Sequence, residues 1–363
     1  MPLRFAPLAF LLLLAAPAWA EVTISWVTVG NPGNPPDEAV NCLASEDCGS
    51  VPYTFQIGQF EVTNAQYAEF LNAVAAADPN ELYDTRMAES PLGGITRSGS
   101  PGSFTYAVKP GRENNPVVFV SFWDAVRFAN WLDNGQPVGP QGPATTEDGA
   151  YTLTPGGIAA NTVARNPGLH VVLPNENEWY KAAYYVPGVG YVDHPFASGQ
   201  TPVSAPPPGN AASANFFDLT TGYARTGSKT FNASFNYLTD VGAYTAAVSG
   251  YGTYDQGGNV LEWTETVVDE DFRQARGGSW DNLRENLAAS ALPQEDPADS
   301  SDYLGFRVAR AVPEPTGAAP VAALALAGLA ARRGRAARRR ARAGDPEPCA
   351  EAPCGWAEGR AGR

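Results

Sequence analysis

Residues 255–265 read DQGGNVLEWTE. Two adjacent glycines, Gly257 and Gly258, lie between the carboxylates of Asp255 and Glu262, and the indole of Trp263 follows at once. Glycine tolerates positive φ, so its carbonyls can turn inward where other residues would clash. A buried tryptophan beside such a turn fixes it to a core. Either this is a solvated acidic turn stapled by Trp263, or the acids and carbonyls face one another for a purpose. The rest of the chain decides between the two.

The first twenty residues have the order of an export signal: Arg4, an apolar run from Leu8 to Ala16, then Ala18-Trp19-Ala20 as a small-x-small cleavage site. The expected mature chain begins at Glu21, outside the cytoplasm. Near the other end, VPEP (Val312 to Pro315) precedes an apolar stretch, Gly317 to Ala331, and an arginine cluster from Arg332 to Arg342. That order resembles the PEP-CTERM sorting signal of exopolysaccharide-producing Gram-negative bacteria, which implies processing by an exosortase-type enzyme. Fifteen helical residues span about 22 Å, short of a hydrocarbon core of about 30 Å. Transient membrane anchoring over residues 312–342 is therefore expected, with arginines on the cytoplasmic side. Residues 343–363 carry no assignment.

From Glu21 to Ala331 the chain has 14 Lys and Arg against 34 Asp and Glu, a balance of 14 − 34 = −20. Such a domain repels nucleic acid and anionic membranes, so no nucleic-acid partner is expected. Cys42 and Cys48 are close enough in NCLASEDCGS to form a small disulfide loop in an oxidising compartment. Cys349 and Cys354 fall beyond the apolar segment, and His170 and His194 are the only two histidines. Metal chemistry based on cysteine and histidine is excluded on this inventory.

Three stretches have helical periodicity. TNAQYAEFLNAV opens on Thr63 with Gln66 three residues later, a capping box, and sets Tyr67, Phe70, Leu71 and Val74 on one face. SFWDAVRFANWL starts at Ser121 with Asp124 as its partner and is expected to bury Phe122, Ala125, Ala129 and Leu132. NENEWYKAAYY uses Asn175 and Glu178 in the same way. Short strands are expected at FQIGQFEVT, VVFVS, HVVLP and GFRVAR, with long turn-rich connections at 135–167 and 197–234. Loops of that length are functional or need a pin.

Six segments, EVTNAQYAEFL, PVVFVSFWDAVRFANWL, LPNENEWYKAA, GGNVLEWTE, ARGGSW and LGFRVAR, resemble in this order the formylglycine-generating enzyme family, the sulfatase-modifying factor domain. The resemblance covers about Ile57 to Arg310. It implies one α+β domain over residues 21–311, a loop-rich fold of the C-type lectin kind. It also implies a calcium site formed by the side chains of Asp255 and Glu262 and the carbonyls of Gly258 and Val260. Mixed carboxylate and carbonyl oxygens suit Ca²⁺, which takes six to eight donors at about 2.3–2.6 Å. A second family calcium site would start at Asn215 and Phe216 but finds no acidic partner near 233–235.

The active enzymes of the family bind copper through two cysteines just after the GGS turn. The matching positions here are Asn282 and Leu287, neither of which can form the thiolate that Cu(I) requires. Copper is therefore not expected, and no catalytic residue is assigned. Ser279 has no histidine near it in sequence. The expected function is an exported binding or scaffold module, stiffened by calcium, with an exopolysaccharide or a protein as ligand. An oxidoreductase acting on a sulfatase cysteine and a structural matrix component are the alternatives.

Overall fold

The computed structural model describes residues 21–40, 42 and 47–312. The expected export signal (residues 1–20), the expected sorting segment (312–342) apart from Val312, and the tail lie outside the described residues. Among these residues no helix is long and apolar enough to cross a membrane.

All three anticipated helices form, each from its own capping box. Thr63 caps Asn64–Val74, Ser121 caps Phe122–Asp133 and Asn175 caps Glu176–Tyr184, and in each the third residue answers with its side chain. Each box satisfies backbone N–H groups that a helix start otherwise leaves unpaired. Tyr67, Phe70, Leu71 and Val74 are all buried. The second helix departs from expectation: residues 122–131 are buried on every side, whereas Leu132 is only half-buried. It runs through the core, where Phe128 meets Phe70 and Phe306 edge-on and Trp131 packs tilted against Phe70.

Strands assemble into two main sheets. One has the order Trp26–Val29, Phe55–Gly58, Ala309–Ala311, Val171–Val172, all antiparallel. The other has the order Gln294–Glu295, Arg273–Arg276, Leu261–Val267, Leu304–Phe306, with the last pair parallel. The first two capped helices and strands of both sheets share the main core, and the third helix packs chiefly in a smaller cluster, so the domain is mixed α and β. The segment GFRVAR, expected as one strand, is two: it leaves one sheet at Phe306 and enters the other at Ala309. Arg307 sits at the crossing, fully buried.

Two other expectations change. VVFVS is not a strand, because Phe119 turns left-handed (φ 61°) and the segment divides its bonds between Val62 and Ser301. The Leu261–Val267 strand, the core of the second sheet, does not show in the sequence as a strand. Both of its faces are buried from Leu261 to Thr264, so the alternation of apolar and polar residues that marks a half-exposed strand is missing. Trp263 anchors it as expected, with its indole N–H donating to the Val120 carbonyl at 3.1 Å.

Cys42 and Cys48 form a disulfide, with Cα atoms 5.3 Å apart, against Trp179, Tyr180 and Tyr184. Asn175 gives the cleanest test of the local rules. Asn175→Ala removes the acceptor for the Glu178 N–H, 2.9 Å away, and should lower stability by about 1 kcal/mol. Urea unfolding followed by circular dichroism measures the loss, and Asn175→Gly should cost only a few tenths of that unit.

Candidate functional site

The stretch from Asp255 to Glu262 folds as a tight loop entering the Leu261–Val267 strand. Asp255 and Asn259 take positive φ (57° and 63°), and Gly258 lies at 90°. A Cβ on Gly258 would meet the Asn215 carbonyl oxygen at 2.4 Å, so glycine is required there for space as well as for backbone conformation. The Asp255 carboxylate accepts from the Gly242 N–H at 2.6 Å. Asn259 pins the loop from inside. Its Oδ1 accepts from the Thr239 N–H and from Asn215 Nδ2, each at 3.1 Å, while its Nδ2 donates to Glu61 Oε1 at 3.0 Å.

Glu262 points into the junction between the sheets, where Arg307 meets it. Arg307 Nε donates to Glu262 Oε2 and Nη2 to Oε1, both at 2.6 Å. Its remaining N–H groups reach the carbonyls of Gly58, Gln59 and Tyr254. All five guanidinium donors are thus satisfied. The Trp179 indole N–H donates to Glu262 Oε2 at 2.8 Å. Glu262 is therefore held first by an arginine and an indole, which leaves only part of its acceptor capacity for anything else.

Around this pair the charges do not balance. Glu61, Asp255 and Glu262 act on one another with Arg307 as their shared cation, three carboxylates to one guanidinium. Glu61 Oε2 is buried with no hydrogen-bond partner and lies 3.9 Å from Arg307 Nη2. Burial pushes Glu61 well above the usual carboxylate range, and Asp255 adds to the push while Arg307 opposes it. Asp255 is pushed up to about 6 by burial, against the Gly242 bond and Arg307, with Glu262 adding. Among the described residues no three Asp, Glu, His or Cys side chains converge as a ready-made metal site. Any cation here would rely on backbone carbonyls as well as on Asp255 and the orphaned oxygen of Glu61. Hard, anionic oxygen donors of this kind suit calcium or magnesium.

The positions that would hold copper-binding cysteines serve packing instead. Leu287 is fully buried among Phe196, Phe216 and Tyr244. Asn282 Oδ1 accepts from the Ser279 N–H at 3.1 Å, and its carbonyl accepts from the Phe217 N–H. The Ser279 hydroxyl donates to Asp281 at 2.7 Å, a turn bond rather than a link to a base. His170 is paired with Asp133 at 2.8 Å. Folding brings the Cys42–Cys48 disulfide closer than its sequence position suggests. It packs on Tyr184, whose hydroxyl donates to the Leu287 carbonyl at 3.2 Å. Its two sulfurs are bonded to each other, so neither is a thiolate.

Residues 43–312 match the model of the sulfatase-modifying factor enzyme 1-like domain. The chain belongs to this family. Relatives include the inactive C-alpha-formylglycine-generating enzyme 2 of Bos taurus, 31% identical over 153 residues (40% of this chain, 46% of the relative). The Mus musculus protein of the same name is 27% identical over 271 residues, 72% of this chain and 76% of the relative. The serine/threonine-protein kinase pkn1 of Chlamydia caviae is 24% identical over 281 residues, 72% of this chain but only 33% of the kinase. The chain thus spans a third of that kinase and under half of the bovine protein. Among solved structures, CarF gives a TM-score of 0.48 at 21% identity, over 80% of this chain and 99% of that one. PvdO from Pseudomonas aeruginosa gives 0.39 at 20% identity, over 80% and 92%.

Within this sulfatase-modifying factor domain, two residues of the site escape a reading of the sequence. Glu61 lies in EVTNAQYAEFL, where it reads as an ordinary flank of a capping box. Asn259 reads as a turn residue of the GGN run, although a single asparagine between two glycines and a buried strand is a signal that the turn is bonded from within. The unbalanced charge makes a test. The folded-state value of Asp255, about 6, lies above its ordinary 3.8. In chelator its contribution to stability is full below about pH 3.8 and is lost as pH rises through about 6. Asp255→Asn should flatten that fall. Urea midpoints of the two proteins, compared across this window, should converge at its acid end and favour the variant at neutral pH.

Proposed function

We propose that this protein is an exported binding or scaffold module of the sulfatase-modifying factor family, with the loop-rich architecture of C-type lectins and without the oxidase chemistry. One observation carries the reading. Asn282 and Leu287 occupy the two cysteine positions implied by the family resemblance; Leu287 is fully buried, and Asn282, half-buried, closes the Ser279 turn. An amide and an aliphatic side chain supply neither a nucleophile nor a soft donor for Cu(I). Two relatives named as inactive C-alpha-formylglycine-generating enzymes support the same reading.

In this reading calcium is held by Asp255 and the carbonyls of Gly258 and Val260, with Glu262 shared between the ion and Arg307. Glu61, with its unpartnered oxygen, adds a carboxylate beyond the set implied by the family. A divalent cation would offset the surplus of buried negative charge that otherwise raises Asp255 and Glu61. The export-signal order of the first twenty residues and the arginine-flanked apolar segment support a location at the cell envelope, where an exosortase-type enzyme would process it. Its ligand would be an exopolysaccharide or a protein. A pocket of about 620 Å³ whose lining includes Glu81 and Asp84, both reachable from solvent, supports a hydroxyl-rich ligand, because carboxylates accept hydrogen bonds from sugar hydroxyls.

The proximity of Cys42 and Cys48 to Leu287 gives the test its control. Cu(I) is titrated into the full chain under reducing conditions and followed by competition with a chromogenic chelator, alongside Cys42→Ser. The expected result is no tight copper binding by either protein and no oxygen-dependent conversion of a cysteine peptide. Copper bound tightly by the wild type and lost in Cys42→Ser, with turnover of the peptide, would make this an oxidase built on relocated thiols.

A further inference from the structure

Fourteen Lys and Arg residues serve a domain with 34 acids between positions 21 and 331, so carboxylates are plentiful for pairing. Seven of the arginines in the described region do find an acidic partner within ion-pair distance. Lys109, Arg112 and Arg225 do not, and yet they act on one another. Burial lowers Arg112, and Arg225 lowers it further; Lys109 is lowered by burial and then by Arg112. Clustering of like charges in an acid-rich domain is unfavourable unless something anionic joins them.

Arg112 and Arg225 line one open pocket of about 270 Å³, with Asn115, Asn236 and Asp240 on its wall. Arg225 is held in place. Its Nη1 donates to the carbonyls of Asn236 and Leu238 at 2.8 and 2.7 Å, and its guanidinium lies 5.3 Å from the centre of the Phe235 ring. Nε and Nη2 of Arg225 and the whole guanidinium of Arg112 have no hydrogen-bond partner among the described residues. Asp240 is the one carboxylate on the wall. Its Oδ1 accepts from Asn115 Nδ2 at 2.8 Å; it attracts Arg112 without forming an ion pair with either arginine. Lys109 is not part of the pocket lining, and its ammonium is spent on the carbonyls of Ser90 and Gly93.

We propose that this pocket is a receptor for a small oxyanion, a carboxylate or sulfate group, gripped between Arg112 and Arg225. A guanidinium offers paired N–H donors that match such groups in geometry and charge. At this volume the pocket takes a group at the small end of ligand size and not an extended drug-like molecule. Asp240, on the same wall lining, repels a second negative charge and accepts from a hydroxyl. The ligand is thus an anion with a single charged end, of which a sugar acid is one source and the free inorganic anion another. The proposal stands apart from the binding-module reading, because none of these residues belongs to the Asp255 loop or to the Asn282 and Leu287 positions.

Titration calorimetry of the full chain at low ionic strength tests it, with glucuronate, inorganic sulfate and glucose as probes. Glucuronate or sulfate should bind saturably, more weakly as salt is added, and glucose should not. Arg112→Gln should weaken the binding at least tenfold with an unchanged melting temperature, since that side chain has no internal bond to lose. Glucuronate bound more tightly than sulfate assigns the site to a sugar acid; sulfate bound equally well assigns it to the free anion. Binding by neither anion, equal binding of glucose, or unchanged affinity in Arg112→Gln would overturn the proposal.

Discussion

The pair formed by Glu262 and Arg307 is the constraint on which the rest of the domain depends. Two charges removed from water cost several kcal/mol apiece unless geometry and further hydrogen bonds compensate. Here compensation is complete on the cationic side, where each guanidinium N–H has an acceptor. Those acceptors come from distant parts of the chain: the turn after Phe55–Gly58, the loop at Tyr254, and the central strand. Trp179 ties in the third capped helix through the same carboxylate. The crossing of the last segment between the two sheets occurs at Arg307 itself, so the pair fixes where one sheet ends and the other begins. A domain with so many loops and such short strands has few other ways to define that boundary.

The same cluster explains why the loop from Asp255 to Glu262 combines acids and glycines. Glycine at 258 lets the backbone pass against Asn215, Asn259 closes the turn from within, and Asp255 reaches back to Gly242. Arg307 neutralises one carboxylate of three, and the orphaned oxygen of Glu61 marks what is left over. Charge left over in a buried position can be relieved by protonation or by a cation, and these predict opposite responses to pH and to chelation. Function is a separate matter, since a fold of this kind carries whatever chemistry its site residues allow. At Asn282 and Leu287 those residues pack and cap a turn.

Much of the architecture was legible in the sequence, and the parts that were not share a cause. Capping boxes are local, so Thr63, Ser121 and Asn175 located the three long helices from spacing alone, while the short ones at Arg86–Glu89 and Pro155–Ala159, which lack such boxes, went unread. The tryptophan anchor at 263 and the Cys42–Cys48 bridge were also readable, being set by immediate neighbours. The strand around Glu262 was not, because burial on both faces erases the alternation that would reveal it. VVFVS looked like a strand because its composition is apolar and β-branched, but the left-handed turn at Phe119 depends on what Ser301 and Val62 offer across the fold. Glu61 and the placement of the disulfide beside Leu287 are products of long-range contact, which one sequence does not record. Asp255 and Glu262 were singled out through the family resemblance, whereas the commitment of Glu262 to Arg307 could be seen only in three dimensions.

A double-mutant cycle on that pair measures the central claim most directly. Glu262→Gln, Arg307→Met and the double variant would be unfolded in urea, first in chelator and then with calcium. If the pair organises the interior, each single change costs about 3–5 kcal/mol even in chelator, and the double change costs clearly less than their sum. Additive losses, or a Glu262→Gln variant that is harmless until calcium is added, would show instead that the carboxylate serves the ion and that Arg307 is incidental.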